Sequence, residues 1–181
     1  MNWTNLLGWL ALALILFWAI GAYHRMVQLR SAIGAAYRQL DEALNQRSTL
    51  CEQLVAQLGP LLDNEQATFD ALASAQAEAQ TAAQAVRARP HAGDPVARLA
   101  VASAMHAAAL TRLMSLVEHH PEIAYRAEIA PLMDELKMVE RQRSFARQVF
   151  NQAVTTYNEA VQEFPTRVLN SIFGFSEARS L

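Results

Sequence analysis

Leu6 to Ala22 carries no charged side chain, and with the flanking Asn5 and Tyr23 the run reaches about 20 residues, enough to cross a hydrocarbon core. Trp3 and Tyr23 stand near its two ends, where amphipathic rings favour the headgroup level, and Trp9 and Trp18 lie further in. A cleaved signal peptide would need a basic start and a small-residue cleavage site. Met1-Asn2-Trp3-Thr4-Asn5 has no basic side chain, so an uncleaved membrane anchor over residues 1–23 is expected. Arg25, Arg30 and Arg38 follow the run and no Lys or Arg precedes it. By the positive-inside rule the remainder of the chain faces the cytoplasm.

Nothing breaks the chain after this run. Met26, Leu29, Ile33, Ala36, Tyr37, Leu40, Leu44 and Leu54 keep steps of three or four, an amphipathic stripe, so the helix should leave the membrane without a linker. Gly59-Pro60 is a helix stop, and Asp63 with Gln66 three residues on has the form of a capping box. The rival reading is one helix kinked at Pro60, since Leu54, Leu58, Leu61, Phe69 and Leu72 nearly keep phase. A tight turn is favoured.

A second segment rich in Ala and Gln runs from Asn64 to Arg87. Arg89 to Pro95 reads as a loop, with Asp94 as N-cap of a third helix ending at Glu118. Its apolar face is expected at Leu99, Ala102, Met105, Ala109, Leu113 and Leu116. His119-His120-Pro121 closes it, and a long fourth helix spans Tyr125 to Glu163, with Pro131 setting its true start near Ala130. No segment alternates with period two, so the fold class is all-α. Helices one and four should be roughly 50 and 58 Å long and the inner two roughly 36 Å. The expectation is an N-terminal transmembrane helix continuing into an antiparallel four-helix bundle over residues 24–175, with 176–181 as a flexible tail. The alternative is three long helices, the first kinked at Pro60.

The fourth helix carries the most regular pattern. Phe150, Tyr157 and Phe164 form one row, and Val154, Val161 and Val168 form another. Each repeats about every seven residues, and the offset of four puts both on one stripe. Such a seam needs a partner helix. Asn151 and Asn158 flank it and are expected in structural hydrogen bonds, across helices or to solvent. Phe164-Pro165 ends the helix, and Thr166 to Phe175 reads as a last short turn.

These residues resemble the closing motif of the LemA family, in which an aromatic-Asn pair repeats after seven residues and Phe-Pro follows. Here the motif is Phe150-Asn151, Tyr157-Asn158 and Phe164-Pro165, with Val154 and Val161 between and Phe173-Gly174-Phe175 closing it. Glu140 and Arg147 match an upstream acid and base. Tyr23, Met26-Val27, Leu29-Arg30, Ile33, Ala36-Tyr37, Leu40-Asp41 and Arg47 fall where the family has similar residues. Glu52, Arg141, Phe150 and Gln76 depart from its pattern. The resemblance implies a helical bundle on a single span in a bacterial cell membrane. It brings no established enzymatic activity and suggests membrane-associated assembly or signalling.

The residues themselves nominate no reaction. A di-metal bundle site uses Glu-x-x-His pairs, and none of His24, His91, His106, His119 or His120 has an acid three residues before it. Glu118, His119, His120 and Glu122 read as a helix end rather than a surface metal site. No Gly-rich phosphate loop is present, and the basic residues form no face for nucleic acid. The single cysteine, Cys51, reads as a small apolar group. Glu140, Arg143 and Arg147 fall on or near the back-extended seam. They should pair with one another or with Asp41 or Glu42, unless Met138, Phe145 and Val149 take over the apolar face. Phe173 and Phe175 should lie near the bilayer or a neighbouring subunit. No catalytic, cofactor-binding or metal residue is expected, and no small-molecule substrate is evident. A non-enzymatic scaffold that meets membrane lipid and binds a second copy or a membrane protein is the leading expectation; a membrane-linked sensor is the alternative.

Overall fold

The unbroken stripe after the apolar run folds as one element. In a computed structural model, which describes residues 3–163 and 166–181 and side chains over 7–163, 166–168 and 173–181, α1 (Trp3–Leu58) is a single helix of 56 residues. Phe164, Pro165 and the side chain of Trp3 lie outside the described residues. Leu40, Leu44, Arg47, Cys51, Leu54 and Leu58 are all buried, so the three-and-four spacing continues to the last residue of the helix.

At Gly59 the chain turns. Two short 3-10 turns, Gly59–Leu61 and Asp63–Glu65, flank Leu62, whose φ of −132° and ψ of 53° take it out of the helical region. A kinked continuous helix is therefore not what forms. Leu62 N donates to Leu58 O at 3.0 Å and Glu65 N to Leu62 O at 2.9 Å, which satisfies two main-chain groups of the corner. The expected capping box between Asp63 and Gln66 does not form. Gln66 gives its amide to Asp70 at 2.8 Å, and Thr68 donates to Glu65 at 2.9 Å.

Helix α2 (Gln66–Ala88) leads through a short loop to α3 (Gly93–Glu118). Asp94 is not the N-cap; it sits in the first turn of α3, where its charge suits the positive end of the helix dipole. The one-turn helix α4 (Pro121–Ala124), which forms in the break expected between Glu118 and Tyr125, precedes α5 (Ala130–Gln162). Helix α6 (Thr166–Phe173) follows, and Gly174 takes the left-handed φ of 65°.

The long helices pair in opposite directions. Arg25 meets Glu163, Arg30 meets Tyr157, Tyr37 meets Phe150 and Arg47 meets Glu140, so each step forward on α1 is a step back on α5. Tyr37 Oη donates to Ala83 O at 2.8 Å and, further along α1, Glu52 Oε1 accepts from Gln76 Nε2 at 2.7 Å, so α2 runs antiparallel to α1. Buried Ala75, Ala79 and Ala83 give α2 a low-relief face. Helix separation follows contact side-chain size, so this face permits close packing.

Two apolar clusters result. One gathers Met26 to Leu44 of α1, the ends of α2 and α3 near their loop, and Ala146 to Val161 of α5, together with Phe175 and Ala178. The other joins Leu50 to Leu62 with Phe69, Leu72, Leu110 to Val117 and Met133 to Val139. Phe150, Val154, Tyr157 and Val161 are buried as the seam requires. Val168 lies on α6 and is 59% exposed, so the valine row ends with α5. Met138 and Phe145 are exposed, so the apolar face does not pass to them.

Two helices among the described residues are long and apolar enough to cross a membrane: Leu7–Leu61, whose most apolar window is not buried at all, and Gly93–Glu118. The second supplies Val96, Leu99, Leu110 and Leu113 to the core. Trp9, Trp18 and Tyr23 are exposed along the first.

Leu54 is fully buried in the distal cluster. Leu54→Ala should lower stability by about 2–5 kcal/mol, read as a reduced urea midpoint at unchanged slope. Met105→Ala, at an exposed site, should stay within about 0.5 kcal/mol of the parent.

Candidate functional site

Two features bring the polar residues of the sequence together: a layer across the middle of the helices, and the C-terminal segment laid against α5.

The layer follows from the spacing of α1. Arg47 stands between Leu44 and Cys51 on the buried stripe, and its side chain is only 1% exposed. A guanidinium cannot lose its charge there, so it needs a counter-charge. Glu140 of α5 supplies one at 3.3 Å through Oε1, and Glu140 Oε2 accepts from Arg143 Nε at 3.1 Å and Nη2 at 3.0 Å. Thus Glu140 and Arg143 do pair, but the partner across the helices is Arg47 rather than Asp41 or Glu42. Asp41 is taken by Arg87 at 2.6 Å, and Glu42 by Gln46 at 3.1 Å. Arg147 points outward and joins no ion pair among the described residues.

His106 completes the layer from α3. It is fully buried, with Nε2 4.0 Å from Cys51 Sγ. Burial, with Arg47 and Arg143 adding to it, lowers the histidine to about 3 and keeps it neutral. Burial likewise lowers Arg47 and pushes the Cys51 thiol up to about 12, which leaves no thiolate for nucleophilic chemistry. Arg47 Nε and His106 Nδ1 find no hydrogen-bond partner. The layer joins α1, α3 and α5 through buried polar side chains.

The second feature overturns the expectation of a frayed tail over residues 176–181. Asn158 Nδ2 donates to Ala178 O at 2.9 Å, and Ala178 N donates to Asn158 Oδ1 at 2.8 Å. Asn151 makes the same pair of bonds with Leu181, both at 2.8 Å. Tyr157 Oη donates to Ser176 O at 3.0 Å and accepts from Arg30 Nε at 3.2 Å. Phe175 and Ala178 are buried against the first apolar cluster. Hydrogen bonds and apolar burial together offset the ordering entropy that was expected to leave the end of the chain loose.

Tyr23, Phe173 and Phe175 form an aromatic group, with Tyr23 5.2 Å from Phe173 and 5.9 Å from Phe175 between ring centres. Phe175 is buried within its own helical body, so it does not face the bilayer or a neighbour as expected. Phe173 remains part-exposed beside Tyr23. Glu118, His119, His120 and Glu122 do not converge: Lys137 takes Glu118, Ser115 O takes His119, and His120 pairs with Glu122. A cavity of about 190 Å³ opens beside the layer, lined by Leu40, Leu44, Leu99, Ser103, Arg143 and Arg147 among others.

The periodicity could have found Arg47, which keeps the same steps as its leucine neighbours, and His106, which lies four residues from both Ala102 and Leu110. Placing Met105 in the seam instead rotates the face by one residue; Met105 is 52% exposed. Nothing local nominated Arg30 or the tail. The LemA family model matches residues 36–181 of the chain, and no curated protein matches it.

Removing Glu140 strands a buried cation. Glu140→Gln should cost about 3–5 kcal/mol in chemical denaturation, and adding Arg47→Met should recover most of the loss. A separate test concerns acid. His106 carries its proton near 6.5 when unfolded and only near 3 when folded, so between those values the unfolded state binds the extra proton. Stability should fall as pH drops from about 6.5 toward 3, by at most about 1.4 kcal/mol per pH unit from this group. His106→Leu should flatten that part of the profile.

Proposed function

The chain belongs to the LemA family, and from that premise we propose a membrane-anchored helical scaffold without catalytic activity, self-associating or holding a membrane partner. In this reading α1 spans the membrane over its first part and continues as the first member of an antiparallel four-helix bundle on the cytoplasmic side. The observation that carries it is the character of α1. Leu14, Phe17 and Ile20 lie exposed on a segment whose most apolar window is not buried, and the same helix enters the core without a break. Apolar surface on that scale needs lipid or protein to cover it. The polar layer supports a structural role, since its charges are paired with one another and its thiol and imidazole are held neutral.

A second reading, a sensor that passes a change in the body to the membrane, is favoured by the cavity beside Arg143 and Arg147. It calls for a small ligand there, and a thermal-shift screen that finds none while stable homo-oligomers crosslink would favour the scaffold.

Full-length protein should stay with membranes through carbonate and high-salt washing; quantitative release would overturn the anchor. In intact cells, Arg89→Cys and Ser180→Cys should resist an impermeant thiol reagent and become labelled after lysis. Cys51 is buried and contributes little background.

A further inference from the structure

The asparagines of the seam do more than tie down a tail. Asn151 and Asn158 are two helical turns apart, a rise of roughly 10.5 Å. Ala178 and Leu181 are three residues apart, and an extended chain covers roughly 9–10 Å in three residues. Each amide closes a donor-acceptor pair on a single main-chain residue. The clamp therefore reads an extended backbone at every third position, whatever its side chains. Selectivity comes from what surrounds it. The Arg30 guanidinium lies 4.6 Å from the centre of the Phe175 ring, Ala178 is buried where space suits a small residue, and Leu181 packs against the core. The segment enters through Gly174, whose φ of 65° suits glycine, although an added Cβ would meet nothing within 4 Å.

We propose that this clamp takes residues 175–181 from a second copy of the chain, so that neighbouring copies exchange straps. The inference rests on the membrane-anchored, self-associating reading above and gives it a contact. The exchanged strap makes the same hydrogen bonds and the same apolar contacts as the strap in its own groove, so exchange forfeits none of them. The strap begins beside Tyr23, where the apolar run of α1 ends. Copies anchored in one membrane hold their clamps and straps at one height, and confinement to that surface raises their effective concentration for each other.

Gln162 on the clamp side and Glu177 on the strap are both exposed and 2.6 Å apart, which makes them reporters of occupancy. Full-length Gln162→Cys and Glu177→Cys chains with different tags are co-expressed and treated in native membranes with a short bismaleimide. Exchange yields a dimer carrying both tags. Adding Asn158→Ala to the Gln162→Cys copy should cut that dimer at least tenfold. The same substitution on the Glu177→Cys copy should leave the yield unchanged or raise it, because it frees that copy's own strap. A chain carrying both cysteines that crosslinks within itself, while the mixed copies give no dimer, overturns the exchange. So does a dimer indifferent to Asn158→Ala, or the lack of any product within or between chains. Co-purification of differently tagged parent chains in the absence of the strap crosslink leaves self-association standing and removes only the exchange.

Discussion

The buried guanidinium of Arg47 sets the register of the two longest helices. Apolar seams tolerate sliding, because a leucine finds a leucine again one heptad on. A desolvated cation does not. Shifted by seven residues, Arg47 would face Met133 or Arg147 in place of Glu140. The first leaves the charge unpaired in the core, and the second sets it against a like charge. The register that satisfies Arg47 also brings Tyr37 to Phe150 and Arg30 to Tyr157. From that last contact follows the seat for Phe175 and the C-terminal segment. A polar layer that costs desolvation energy thus specifies an alignment that the apolar clusters on either side would leave loose.

The two asparagines show how one helix can serve two partners. The aromatic and valine positions of α5 face the core, and Asn151 and Asn158, one residue further round, turn toward the rim where the tail lies. A side-chain amide is suited to this place. It carries a donor and an acceptor on one planar group, matching the main-chain N–H and C=O of one residue.

What could be read from the chain in order, and what could not, divides along the range of the interactions. Helix identity, the corner at Gly59-Pro60 and the seam at Phe150, Val154, Tyr157 and Val161 are local patterns, and they are where the spacing places them. The caps at Asp63 and Asp94 are local too, yet Ala92 and Glu65 hold the N-cap positions because the helices begin one residue before Asp94 and three after Asp63. Cross-chain partners were out of reach. Arg47 meets a carboxylate 93 residues away, and Asn151 meets a main chain 30 residues away. A backbone partner leaves no compositional trace. His106 was missed by a single residue because Met105 is the more apolar choice on any scale, while the packing uses the position rather than the hydropathy.

The absence of a joint in α1 makes the helix a ruler. With the anchor in a bilayer as proposed, Arg47 stands 24 residues beyond Tyr23 and the corner at Gly59 stands 36 residues beyond it. At helical rise these are elevations of roughly 36 and 54 Å along the axis. A tethered domain samples a hemisphere; a domain on a continuous rod keeps one height and turns only as its span turns. Any partner that meets this protein therefore meets each of its layers at a set altitude above the membrane.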